Sequence, residues 1–135
     1  MIAKLQAEKI NPQEIIDLMR TPRAGAIVTF LGTVRDHSED VQVSELVYEA
    51  YEEMAIKSFR EILDDARSRF HFVDAAVVHR TGRLKLTEDS VMIAVSAVHR
   101  KEAFRACEYI IDRIKEISPI WKRDVLADGT EKWRD

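Results

Sequence analysis

One cysteine, four glycines and three prolines in 135 residues leave this chain few of the usual devices for disulfide stapling, metal binding or nucleotide binding. With Cys107 as the single thiol, no internal disulfide can form, and the default compartment is the reducing cytoplasm. The four histidines, His37, His71, His79 and His99, share no zinc-like spacing with each other or with Cys107, so no metal is expected. The glycines are too scattered for a phosphate-cradling loop or a dinucleotide fingerprint, and no cofactor is expected. No apolar run approaches the about 18 residues a membrane span needs. Residues 1–8 lack the charged start and apolar centre of a signal peptide. The net charge of −3 argues against gripping nucleic acid by bulk electrostatics, but it leaves room for a local cationic pocket.

What the chain does have is 46% hydrophobic and 33% charged residues, the balance of a soluble protein that builds one core, and residues 1–135 read as a single domain. Residues 2–8 alternate like an edge strand. Asn11-Pro12 makes an N-cap followed by proline at the first helical position, which predicts a short helix over 12–20. Residues 25–35 read as a β-branched strand, 36–40 as a mobile polar loop and 43–51 as a second strand. Helical spacing of Ala55, Phe59, Ile62, Leu63 and Ala66 predicts a long helix from Glu52 to about Arg69. Strands follow at 73–80 and 90–98, with a turn at Thr81-Gly82. A second long helix covers 101–117, its buried stripe being Ala103, Cys107, Ile110, Ile114 and Ile117. Residues 127–130 form a hairpin turn joining a strand around Trp121 to one near Trp133. Consecutive strands without intervening helices favour an α+β domain with a mainly antiparallel sheet, two long helices and one short one.

The segment Ile114–Asp124 carries the strongest chemical signal. Pro119 stops a helical pattern, and Lys115 and Lys122 sit on either side of that boundary. Lysines beside apolar surface or other cations lose protons more readily and suit acid–base or acyl chemistry. In the plainer reading, Lys115 complements its helix dipole and Lys122 lays its stem over Trp121. Arg35, His99 and Arg100 also stand at element ends, where side chains can converge on an anion such as phosphate or carboxylate. Singly, each reads as a surface charge or a satisfied strand-end histidine. Cys107, on a buried stripe, reads as packing rather than as a nucleophile.

Five segments then occur in order: residues 25–35 (GAIVTFLGTVR), 46–51 (LVYEAY), 79–82 (HRTG), 97–100 (AVHR) and 119–123 (PIWKR). On these the chain resembles the large, catalytic subunits of molybdopterin synthases, from about residue 24 to Trp133. The resemblance implies an α/β-hammerhead fold and a homodimer at the core of a heterotetramer. It implies a small ubiquitin-like sulfur-carrier subunit whose Gly-Gly tail ends in a thiocarboxylate, and cyclic pyranopterin monophosphate as the acceptor that becomes the dithiolene of molybdopterin. It assigns Lys115 and Lys122 as catalytic, and Thr33, Val34, Arg35, His99, Arg100, Arg123 and Asp124 beside them as substrate-binding. Asp124 stands where many members have glutamate. Repulsion among Lys115, Lys122, Arg35 and Arg100 is expected to lower lysine pKa values, and these four together with His99 are expected in one cleft. The rivals are a non-catalytic module that docks a ubiquitin-like tail, and a lyase using Lys115 or Lys122 as a Schiff base with a phosphorylated substrate.

Overall fold

The computed structural model describes residues 1–38 and 41–134. Twelve elements run β1 (Ile2–Gln6), α1 (Pro12–Met19), β2 (Ala26–Thr33), β3 (His37–Ser38), β4 (Val41–Ala50), α2 (Glu52–Arg69), β5 (Asp74–Arg80), β6 (Gly82–Lys85), β7 (Asp89–Ala97), α3 (Arg100–Ile117), β8 (Ile120–Leu126) and β9 (Glu131–Arg134). The class is α+β, with two long helices and one short one. Strand pairing is antiparallel except between β1 and β5.

Two sheets divide the strands. The first has the order β1-β5-β7-β2, and the second runs β3-β4-β8-β9 with β6 also paired to β4. In the first sheet β7 is buried on both faces, which is why its sequence is nearly continuous in apolar residues. Its Val91, Ile93, Val95 and Ala97 point to the side covered by α2 and α3, against Phe59, Leu63 and Ile110. Its Met92 and Ala94 point to the other side, against Ile15 and Met19 of α1. Asn11 caps α1 through its side chain, as the Asn-Pro signal predicts, with Oδ1 accepting from the N–H of Glu14. The second sheet has a smaller core of Val34, Val43, Leu46 and Leu84.

Three readings change. The expected loop at 36–40 includes the two-residue strand β3, paired with the start of β4, while Glu39 and Asp40 lie outside the described residues. The turn read at Thr81-Gly82 opens directly into β6. Gly82 adopts φ +91, a left-handed value that suits glycine, and Leu84 is buried beneath it. Ile117 is exposed rather than on the buried stripe of α3, which instead takes in Ala106 and Ile111.

Candidate active site

The connection between α3 and β8 creates the site. Ser118 caps α3 in an extended conformation, as a residue before proline must, and its N–H still bonds the Ile114 carbonyl. Its hydroxyl lies 2.9 Å from that of Ser58, tying the helix end to α2. The strand begins at Ile120, only two residues later. The last turn of one element and the first turn of the next are therefore neighbours, with Lys115 on one and Lys122 on the other.

Arg35 arrives from a different direction. A register shift at Gly32/Thr33 ends β2. The chain is then pinned by backbone bonds from the Val34 N–H to the Glu88 carbonyl and from the Thr87 N–H to the Val34 carbonyl. Arg35 follows at once. It lines, with Thr33, Lys115 and Lys122, a cleft of about 950 Å³ between the first sheet, α3 and the second sheet. Cleft-binding cations at element ends are thus brought together from three regions of the chain.

Lys122 is perturbed by its surroundings. Burial holds its pKa below the ordinary lysine value, Arg134 and Lys115 push the same way, Asp124 opposes, and Arg35 adds a smaller push. Repulsion contributes as anticipated, although burial is the larger cause and Arg100 takes no part.

Five assigned residues stand elsewhere. His99 is the N-cap of α3 and Arg100 its first residue, both exposed. A helix rises 1.5 Å per residue, so Arg100 lies about 22 Å from Lys115 along the axis, and the two do not meet within one protomer. Val34 is buried in the small core, with its backbone N–H and carbonyl both engaged, so its side chain does not face the cleft. Arg123 alternates with Lys122 along β8 and faces the other side of the sheet. There it pairs with Glu49, reaches Glu131 at 3.4 Å and lies over the Trp133 ring. Asp124 is buried and ion-paired with Arg134.

Three cleft residues were not singled out for chemistry from the sequence. Arg134 stands directly across from Lys122 on β9, and Tyr48 stands directly across from it on β4. His79 packs its ring edge to face with Tyr48. Burial raises the Tyr48 pKa, which the Ser90 hydroxyl beside it opposes. The signal for Arg134 and Tyr48 was cross-strand register, which cannot be read before the pairing is known.

Cys107 is buried on α3, and burial pushes its thiol pKa up to about 11. Such a thiol is protonated at neutral pH and is a poor nucleophile. Cys107→Ser is expected to keep most turnover and to lower the melting temperature slightly, since a hydroxyl is costlier to bury than a thiol. Loss of turnover with an unchanged circular dichroism spectrum and melting temperature would overturn this. Among the described residues no three His, Cys, Asp or Glu side chains gather as a metal site, and no helix is long and apolar enough to cross a membrane.

Comparison with known proteins identifies the family. The family model described as "MoaE protein" matches residues 5–117. A molybdopterin synthase catalytic subunit of Thermoplasma volcanium is 52% identical over 130 residues, covering 96% of this chain and 95% of that protein. The crystal structure of molybdopterin synthase from Staphylococcus aureus superposes with a TM-score of 0.91 at 40% identity, covering 97% of this chain and 95% of that one. A complex of subunits 1 and 2 of molybdopterin-converting factor from Helicobacter pylori shares the fold, with a TM-score of 0.80 at 20% identity over 98% of this chain and 89% of that one. The cationic cleft between two sheets therefore belongs to a member of the MoaE protein family, whose relatives here are catalytic subunits of molybdopterin synthase.

Proposed function

We propose that this chain transfers sulfur from the C-terminal thiocarboxylate of a small ubiquitin-like carrier subunit to cyclic pyranopterin monophosphate. Lys115 and Lys122 are the catalytic groups, Arg35 is the anion anchor, and residues 1–135 act as one domain. The observation that carries this reading is the meeting of Arg35, Lys115 and Lys122 in one cleft. A volume of about 950 Å³ lies at the upper end of the roughly 300–1,000 Å³ typical of small-molecule sites, enough for a substrate with an extended peptide tail beside it.

The chemistry fits the residues. Both reactants are anionic, one a phosphate ester and the other a thiocarboxylate, and the cleft wall offers arginine and lysine donors to each. Lys122, held below its ordinary pKa, reaches the neutral form more readily than a solvated lysine and can take or return a proton as bonds to sulfur change. Lys115 adds positive charge where negative charge builds up on the carrier's terminal carbonyl. The chain's only thiol is buried and protonated, so the sulfur arrives on a partner. The Helicobacter pylori relative of this fold is itself a two-subunit complex, which favours such a partner.

His99 and Arg100 keep a substrate-binding role in this reading through a homodimer. At the far end of α3 they are exposed and distant from their own protomer's cleft, so they serve the cleft of a second copy. Thr33 lines the cleft beside Arg35, and Asp124 acts through the Arg134 it holds.

The direct test mixes the purified chain with thiocarboxylated carrier and cyclic pyranopterin monophosphate and looks for molybdopterin. Absence of product with a carrier shown to be active would end the assignment. Arg35→Ala is expected to raise KM roughly tenfold or more, the scale of a lost charge-assisted hydrogen bond, with kcat largely recovered at high substrate. Steady-state kinetics showing kcat reduced at saturation with KM unchanged would instead place Arg35 in the chemical step.

A further inference from the structure

We propose that Glu88 is a positioning residue for Arg35: its carboxylate closes the turn that clamps the chain one residue before Arg35, and so holds the guanidinium at the cleft. This rests on the reading of Arg35 as the anion anchor and adds what keeps the anchor in place.

Arg35 needs such support. It lies between β2 and β3, in no regular element, and is exposed. An arginine that must order itself on a loose segment spends binding energy doing so, and a fixed backbone beneath it lowers that cost. Backbone bonds fix the chain on both sides. Before Arg35, the Val34 N–H donates to the Glu88 carbonyl at 3.0 Å, and the Val34 carbonyl accepts from the Thr87 N–H at 2.7 Å. The Val34 side chain is buried in the small core with Leu84. After Arg35, the Asp36 carbonyl accepts from the Val43 N–H at 2.8 Å. The near side of this clamp is made by residues 87 and 88.

Residues 86–88 join β6 to β7. Thr87 has φ +69, a left-handed value that a β-branched residue takes only where its surroundings impose it. Glu88 imposes it from the next position. Its Oε1 accepts from the Lys85 N–H at 2.7 Å, and its own N–H donates to the Lys85 carbonyl at 3.2 Å, so the turn is closed twice. Its Oε2 lies 3.5 Å from Lys9 Nζ and 3.7 Å from Nη1 of the buried Arg80. Arg80 is itself anchored, its Nε and Nη2 donating to the Ala7 carbonyl at 3.1 and 2.9 Å. One carboxylate therefore closes the turn and ties it to the end of β5. The Lys85 N–H holds the Glu88 pKa below the ordinary carboxylate value, against burial, with Lys9 and Arg80 helping. Residues 85–89 do not line the cleft, whereas Arg35 does, so loosening the turn reaches the substrate through Arg35.

The test separates the turn from general stability. Glu88→Ala removes both roles of the carboxylate, whereas Glu88→Gln keeps an oxygen for the Lys85 N–H and loses only the charge beside Arg80. Both are expected to lower the melting temperature, because a buried arginine loses its acid. Only Glu88→Ala should speed amide hydrogen exchange at Val34 and Thr87, by roughly fivefold relative to Val77 and Ile93 in the first sheet. Only Glu88→Ala should raise KM, by roughly fivefold with kcat little changed, the scale of one net hydrogen bond. In Arg35→Ala the further change Glu88→Ala should leave KM where it was, since the clamp then has no anchor to hold. Exchange is read without substrate, so it judges the clamp even for a chain that makes no molybdopterin. Unchanged exchange at Val34 and Thr87, or equal acceleration across the whole chain, overturns the proposal. So do KM rises of equal size in the alanine and glutamine variants, which would trace to Arg80, and a KM rise that persists in full without Arg35. Should Glu88→Ala fail to fold, Glu88→Asp, which keeps the charge but is one methylene too short for the Lys85 N–H, carries the same expectations.

Discussion

Lys122→Ala is expected to lower turnover by roughly tenfold or more, the lower end for a positioned acid–base group, while the melting temperature holds or rises. The second half of that expectation follows from charge. The folded protein disfavours the Lys122 ammonium, since its pKa is depressed by burial and by Arg134, Lys115 and Arg35. A lysine of depressed pKa is a destabilising group below its folded pKa, and that penalty disappears as pH rises toward the ordinary value near 10.5. Deleting it at neutral pH removes a penalty and breaks no apolar cluster, since none of the three cores contains it. Lys115→Ala should show the same division between chemistry and stability, being exposed on the last turn of α3. Lys122→Arg separates two roles. Arginine keeps the charge but does not deprotonate, so a variant as slow as alanine identifies proton transfer, whereas recovery identifies anion stabilisation. Single-turnover rates with calorimetric melting check all three, and a variant that loses activity only in proportion to lost fold would remove the lysines from the mechanism.

The helices were legible because their signals are long. Eighteen residues of 3.6-period apolar spacing outweigh any local ambiguity, and α2 begins and ends at the residues its pattern predicts. Strand β6 was not legible. Four residues, Gly-Arg-Leu-Lys, hold a single apolar position, and what makes them a strand is the partner β4 rather than their own sequence. The division into two sheets was hidden for the same reason. At the site, Arg35, Lys115 and Lys122 could be found because each stands where a periodic pattern stops. Arg123 shows the limit of that reasoning. It is adjacent to Lys122 in a strand, and the alternation of side chains sends the two to opposite faces, a fact the sequence carries once the strand is recognised. Val34 likewise alternates away from the cleft and into the small core. His79 and Tyr48 lie within apolar strands, where a polar ring reads as tolerated packing until the cleft beside it is known.

Mixing two inactive variants should restore activity, and this is the second large effect. In a two-fold dimer each cleft would take Arg35, Lys115 and Lys122 from one protomer and His99 and Arg100 from the other. The motivation is distance. Arg100 opens α3 and Lys115 nears its end, about 22 Å along the axis, so one protomer cannot bring both to one substrate. A dimer of Lys122→Ala paired with Arg100→Ala then holds one cleft with both defects and one cleft with neither. After subunit exchange at equal concentration about half the dimers are mixed, each with one intact site of two, so turnover should reach about a quarter of wild type from parents that are each nearly inactive. If both residues served the same protomer's cleft, every site in the mixture would keep one defect and no activity would return. The same experiment reports the oligomer, because exchange requires a dimer that sedimentation should detect at micromolar concentration without the carrier. A chain that sediments only as a monomer, or a mixture no more active than the average of its parents, would remove His99 and Arg100 from the site and leave the cleft of Arg35, Lys115 and Lys122 to bind the substrate alone.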